Sequence, residues 1–415
     1  MLDRADDIVA SPESTAGQCP FPFPRSAGPL APPPEYAALR TTEAVRQVNL
    51  WNGSKAWIFT RWADVRAILA SPHFSAVPST PGYPTLSPAR ASSLDSYKSF
   101  ITMDPPDHTY YRRMVTKEFT VKRMNALLPH IQAIMDDLLD KMEADGTRTG
   151  DLVAGLAGPL PSIVISTMLG VPPEYHHDME ILGAEKNNIT VDPAVPIEAT
   201  RKMVAIIERV LDDKIRDPGN GDDLLSRLVI DQILPGHLSR GDAINIANLL
   251  YLAGHETTTN QIALSTVVLL GNPDQRAKML ASPAALASGV EEMLRFNTIV
   301  QYNSARVATA DVEIGGHQVR AGDGVYALIT AANHDPEAFS DPERFDVSRD
   351  ASAHMAFSFG VHQCVGQSLA RMELACVFET LFRRFPTLEL AVPFDELEFK
   401  NEQLVHGLRR LPVRW

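Results

Sequence analysis

Between positions 62 and 293 apolar residues recur at intervals of three and four, and the pattern breaks at Pro72, Pro105-Pro106, Pro172-Pro173, Pro193, Pro218-Gly219 and Pro235-Gly236. This predicts a succession of helices separated by turns. The longest uninterrupted stretch opens at Ser239, an N-cap residue with Asp242 three positions on, and closes at Gly271 before Asn272-Pro273. About 33 residues at 1.5 Å each make a rod of about 50 Å, long enough to cross a whole protein of this size. Two β-type runs, VRQVNLW and KAWIFT, flank Asn52-Gly53 and predict a hairpin. Further strands are predicted over 306–314, 318–320 and 325–329 and at the C-terminus. Residues 1–34 carry CPFPFP and PPP and read as an extended arm on the surface. With no repeat and no long linker, residues 35–415 read as a single domain, mainly α with small β-sheets.

Composition narrows the function. Apolar residues make up 45% and charged residues 21% of 415 positions, which suits a large buried core and excludes wholesale disorder. The balance of 38 basic against 51 acidic residues, a net charge of -13, repels nucleic acid and anionic membranes. Neither is expected as a partner. Three cysteines, Cys19, Cys364 and Cys376, make no disulfide framework and no zinc pattern. The first residues lack an apolar signal segment, and no apolar run reaches the 18 to 20 or so needed to span a bilayer, so a cytoplasmic location is expected.

Two segments concentrate chemistry. The run Phe357-Ser-Phe-Gly-Val-His-Gln-Cys-Val-Gly366 precedes a helical pattern, which puts Cys364 at a helix mouth where backbone N-H groups and the dipole favour a thiolate. Gly360 and Gly366 let the backbone fold close around the sulfur. Cys376, in the following helix, reads as core. Inside the long helix lies Ala253-Gly254-His255-Glu256-Thr257-Thr258-Thr259. A glycine and three threonines are poor helix formers, so local distortion is expected there, and the apolar flanks argue that Glu256 is not on a solvent face.

The cysteine segment, read as Phe-x-x-Gly-x-x-x-Cys-x-Gly with His362 two residues before the cysteine, resembles the haem-binding loop of the cytochrome P-450 family, and Ala-Gly-x-Glu-Thr resembles that family's oxygen-activation motif. The resemblance implies an α-rich triangular prism with a long central helix over the haem. It implies haem b as cofactor, Cys364 as proximal iron ligand, and Phe357, Gly360, His362 and Gly366 as parts of its loop. Ala253 and Gly254 would keep room over the haem, Glu256 would relay protons, and the Thr257 hydroxyl would stand beside the reacting oxygen. Asp104-Pro-Pro-Asp-His108 through Arg112 resembles the family's propionate-binding signature, with Arg306 as a further contact. Glu292-x-x-Arg295 and the Asp341-Pro-Glu-Arg344 segment imply a structural network of Glu292, Arg295 and Arg344. The chain departs from many relatives at Asn297-Thr298, where a proline is common.

The function so implied is that of a soluble bacterial-type monooxygenase, a hydroxylase inserting one atom of O2 into a medium-sized hydrophobic substrate. Two electrons would come from a ferredoxin-type donor with its reductase, and the enzyme would be a monomer. A basic strip, Arg113, Lys117, Lys122 and Arg123, suits docking of an acidic carrier. The substrate wall is expected from residues 74–101, including Tyr83, Tyr97 and Phe100, from 249–257, and from Ile299, Val300, Val405 and His406, with no charged anchor. Other readings of the same residues are a nicotinamide-driven nitric oxide reductase, a peroxide-driven hydroxylase and a haem-binding sensor.

Overall fold

The structure, a computed structural model, describes residues 21–88, 90–91, 99–144, 146–186, 194–302, 304–401 and 403–415. Residues 1–20 of the expected arm, with Cys19, and Tyr97 of the expected pocket lie outside the described residues.

The predicted rod is the helix Arg240–Gly271, 32 residues long and thus about 48 Å. Ser239 caps it: its hydroxyl accepts the Asp242 amide at 3.0 Å and donates to the Asp242 carboxylate at 2.7 Å. Its buried residues lie on every face, as in a helix running through the core of a large domain. The helices Pro159–Leu169, His176–Lys186, Ala194–Arg216 and Gln367–Arg384 pack around it. The expected distortion at 253–259 does not appear, and the helix is continuous. The hydroxyls of Thr257 and Thr259 and the Asn260 amide instead donate to the carbonyls of Ala253, His255 and Glu256, one turn back, at 2.5, 2.9 and 2.9 Å. These bonds satisfy the side chains without breaking the ladder.

The hairpin forms as expected, Val45–Asn49 antiparallel to Lys55–Phe59, with Gly53 at φ +80° in its turn. The hairpin joins Gly324–Ala327, Ala305–Ala308 and Phe74–Ser75 in a five-stranded mixed sheet, in which Lys55–Phe59 runs parallel to Gly324–Ala327. A second sheet places Pro412–Arg414 between Thr149–Asp151 and Glu389–Leu390. The described part of the arm differs from expectation. Phe23 is buried with its ring 5.9 Å from that of Tyr36, the Arg25 guanidinium donates to Gln301 at 2.9 Å, and Pro34 already begins the helix Pro34–Thr42. Burying the aromatic rings outweighs the hydration of an extended proline-rich chain.

The expected charge network is also revised. Arg295 and Glu292, both fully buried, form a two-pronged pair at 2.7 and 2.9 Å. The third member is Arg349, whose Nε donates to Glu292 at 3.2 Å. Arg344 is exposed and contributes only its carbonyl, which accepts from Arg349 at 3.0 Å. The carboxylate also accepts the Asp346 amide at 3.0 Å, so tertiary folding adds two donors to the one from its own helix. Loss of the Arg349 side chain leaves Glu292 balanced by Arg295 and removes the bond to Glu292 together with those to the carbonyls of Ser340, Asp341 and Arg344. Arg349→Ala is therefore expected to lower the free energy of unfolding by about 2 kcal/mol, against about 0.5 kcal/mol or less for the exposed Arg344→Ala, measured by denaturant titration.

Candidate functional site

The cysteine loop turns on two left-handed residues, Ser358 at φ +62° and Gly360 at φ +73°. The turn carries the chain to Cys364, whose amide donates to the Phe357 carbonyl at 2.8 Å, just ahead of the helix Gln367–Arg384. Gly360 is needed for a reason other than the one expected. A Cβ there would lie 2.3 Å from the Leu69 carbonyl, so the residue seats the loop on the helix Trp62–Ala70, and it is not on the cavity wall. Gly366 is less constrained, with 3.9 Å from its ideal Cβ to the sulfur. The sulfur is exposed to an internal space while lying deep in the protein. Burial pushes its pKa up, and the Gly366 N-H and the charges of Arg112 and Arg371 pull it down. Cys376 is core as expected, donating to Gln132 at 3.4 Å.

That internal space is a cavity of about 310 Å³ between the long helix and the cysteine loop. Ala253, Gly254 and Thr257 line it from one side, and Phe357, His362, Cys364 and Gly366 from the other. Gly254 also serves packing, since a Cβ would come within 3.2 Å of Ile165. At one end stand Arg112 and Arg306, and His108 lies fully buried behind His362, the two rings 4.4 Å apart. Both ring nitrogens of His108 and the Nδ1 of His362 are buried without a hydrogen-bond partner. Burial and the Arg306, His108 and Arg112 charges hold His362 down to about 3. The guanidinium groups donate to the carbonyls of Gln363 and Ala305, and neither forms an ion pair among the described residues. Buried cations and orphaned imidazoles in one corner fit a ligand that supplies anionic oxygens.

Among the described residues no three His, Cys, Asp or Glu side chains come together as a metal site. A metal at Cys364 therefore has to arrive with its other ligands. A macrocycle with four nitrogens and two carboxylates meets that need, so the residues present fit a haem.

Glu256 departs from the expected position beside the metal. It does not line the cavity, and its charge is felt by Lys186, at the end of the helix His176–Lys186, and by Lys400 of the C-terminal loop. Burial raises its carboxyl to about 7 against the pull of Lys400 and Lys186. No sequence signal pairs position 400 with position 256. Ile299 and Val300 line the cavity as expected. Val405 and His406 stand behind them: Val405 bridges to Val300, and the His406 amide donates to the Ile299 carbonyl at 2.8 Å while its ring contacts the Pro29 carbonyl. Arg90, inside the expected pocket segment, lines the cavity and corrects the expectation of a wall without charge. Ile165, Thr258 and Glu373 also line it. Thr258 was within reach of the motif, whereas Ile165 and Glu373 had no signal. The basic strip is partly neutralised: Lys117 pairs with Asp231, Arg123 with Glu118 at 3.3 Å, and Arg113 lies over the Tyr110 ring.

Fold and site together define a haem-thiolate protein, with a long buried helix on one side of the cofactor space and a cysteine loop on the other. The comparisons with known proteins agree, and the chain belongs to the cytochrome P450 family. The Cytochrome P450 family model matches residues 284–410. Cytochrome P450-SU2 of Streptomyces griseolus is 41% identical over 99% of this chain and 98% of its own length, and the Vitamin D3 dihydroxylase of the same species is 38% identical over 99% and 100%. The crystal structure of GfsF superposes with a TM-score of 0.90 at 40% identity, covering 95% of this chain and 99% of that one. The chain is accordingly a P450 oxidoreductase. Among the described residues no helix is long and apolar enough to cross a membrane.

The two loop glycines separate by experiment. Gly360→Ala, with a left-handed φ and a backbone oxygen in the way, is expected to cost about 2 kcal/mol or more of folding stability. Gly366→Ala, in open contact, is expected to cost about 0.5 kcal/mol. Thermal unfolding of the two variants checks this.

Proposed function

We propose that this enzyme is a haem b monooxygenase that hydroxylates a medium-sized hydrophobic substrate, with Cys364 holding the iron and His108, Arg112, His362 and Arg306 receiving the propionates. The observation that carries the reading is that Cys364 and Thr257 line one cavity from opposite sides, and its corner holds two arginines bonded only to carbonyls among the described residues and imidazoles without a hydrogen-bond partner. When bound, the haem supplies oxygen activation by one-electron steps. The chain supplies the rest. Phe357, under the Arg371 guanidinium at 4.6 Å, packs beside the sulfur, and Leu249, Ile299 and Val300 exclude water around the substrate. Thr257 donates to the Ala253 carbonyl at rest; release of that bond frees the hydroxyl to donate into the cavity. Glu256, half protonated near pH 7, is the acid that replenishes it.

The Vitamin D3 dihydroxylase relative and the largely apolar lining support a polycyclic or comparably bulky apolar substrate. Arg90 would hold a polar substituent at one end. Electrons would come from a ferredoxin with its reductase, docking on the face that carries Lys122 and Arg113, the latter in the helix Asp107–Thr116 that touches the cysteine loop. We assign residues 35–415 to a single catalytic domain that works as a cytoplasmic monomer.

The test is the absorption spectrum of the reduced, carbon monoxide-treated protein. A strongly red-shifted Soret band that vanishes in Cys364→Ala is the expected result, and an unshifted band overturns the reading. Two further outcomes are expected. Thr257→Ala diverts reducing equivalents to hydrogen peroxide, with product per electron falling about tenfold or more, read by peroxide and product assays. Because burial raises the Glu256 pKa, the acid form prevails below about pH 7. The rate of proton-dependent turnover falls as pH rises through that value, and Glu256→Gln abolishes this limb of the pH profile.

A further inference from the structure

The substrate wall and the relay acid are joined by a short chain of contacts through the C-terminal loop. Lys400 donates to the Asn260 side-chain oxygen at 3.2 Å, and the Asn260 amide donates to the Glu256 carbonyl at 2.9 Å. Asn260 is fully buried, and a Cβ on Gly407 would sit 1.8 Å from its oxygen, so the loop backbone lies directly on the amide. The Lys400 amide donates to the Gly407 carbonyl at 2.8 Å, which fixes one arm of the loop to the other. The second arm is bonded to the wall: His406 N-H to the Ile299 carbonyl at 2.8 Å, and Gln301 N-H to the Leu404 carbonyl at 3.0 Å. Ile299 and Val300 face the cavity. A molecule seated against them would thus rest on residues hydrogen-bonded to the loop that carries the Lys400 ammonium.

We infer that Lys400 is a positioning residue through which occupancy of the cavity sets the charge of Glu256. The inference rests on the monooxygenase reading for its purpose, since an acid that holds its proton more firmly when substrate is present would supply fewer protons to an empty site. Coulomb attraction in a partly buried setting falls with distance, so moving the ammonium away lets burial favour the neutral acid. Two cations face Glu256: Lys400, and Lys186 from the helix His176–Lys186. Its neighbour His255 is fully buried and held neutral, its pKa near 4, and Arg409 acts on Lys400 rather than on the acid. Of the two lysines only Lys400 belongs to the loop bonded to the wall.

The measurement is the pH midpoint of the protonated-carboxyl infrared band of Glu256 in the holoenzyme, assigned by its loss in Glu256→Gln. Lys400→Met is expected to raise the midpoint by about one pH unit, about tenfold in proton affinity, and Lys400→Arg to restore it. Saturating 4-phenylimidazole, used as an apolar occupant of the cavity, is expected to raise the wild-type midpoint and to leave that of Lys400→Met where it is. An unchanged midpoint in Lys400→Met overturns the inference. So does an equal rise with phenylimidazole in both proteins, which would be simple dehydration of the acid. Failure of the monooxygenase reading would be seen separately, as a carbon monoxide spectrum without thiolate ligation, and would leave the Lys400→Met midpoint readable.

Discussion

A helix buried on every face has nowhere to send its polar side chains, and much of this structure follows from that constraint. Over Arg240–Gly271 the hydroxyls of Thr257, Thr259 and Thr266 and the amides of Asn260 and Asn272 donate to carbonyls one turn back. Each would otherwise pay the cost of an unpaired group in the interior. Because these bonds are internal, the helix stays continuous while presenting small and polar residues to a cavity. The surrounding helices can then pack on it closely, as Ile165 does over Gly254.

The opposite situation holds at the cavity corner, where groups are left without partners. His108, His362, Arg112 and Arg306 come from a helix, the cysteine loop and a strand, and their hydrogen-bonding capacity is not used up by the protein. Such an arrangement is unfavourable by itself and becomes favourable with an anionic ligand between the groups. The cysteine loop belongs to the same design. Gly360 seats it against the Leu69 carbonyl, and the Gly366 N-H and two arginines offset only part of the effect of burial on the sulfur.

The charged interior is built from residues far apart in sequence. Glu292 collects Arg295 from its own helix and Arg349 from the loop ahead of the cysteine segment. Glu256 is flanked by Lys186, from a helix well before it in the chain, and Lys400, from the C-terminal loop. In both cases the acid and one basic residue sit in readable motifs or helices, and the partner that tunes the site comes from elsewhere.

Local spacing determined a good deal on its own. The capping pair Ser239 and Asp242, the stop at Asn272-Pro273, the hairpin at Asn52-Gly53 and the ten-residue cysteine segment all act within a few residues, where backbone geometry and capping leave little freedom. The family, the central helix and Cys364, Thr257, Ile299 and Val300 as cavity residues were therefore legible. Tertiary structure alone decided which cation completes the Glu292 network, Arg349 in place of Arg344, because loop geometry and not residue type sets that reach. It also decided that Phe23 and Arg25 are packed, that Val405 and His406 brace the wall from behind, and that Glu256 looks away from the cavity toward two lysines. Each of these depends on which side chains from separate elements meet, and periodicity carries no record of that: it fixes the face a residue occupies but not what folds against it.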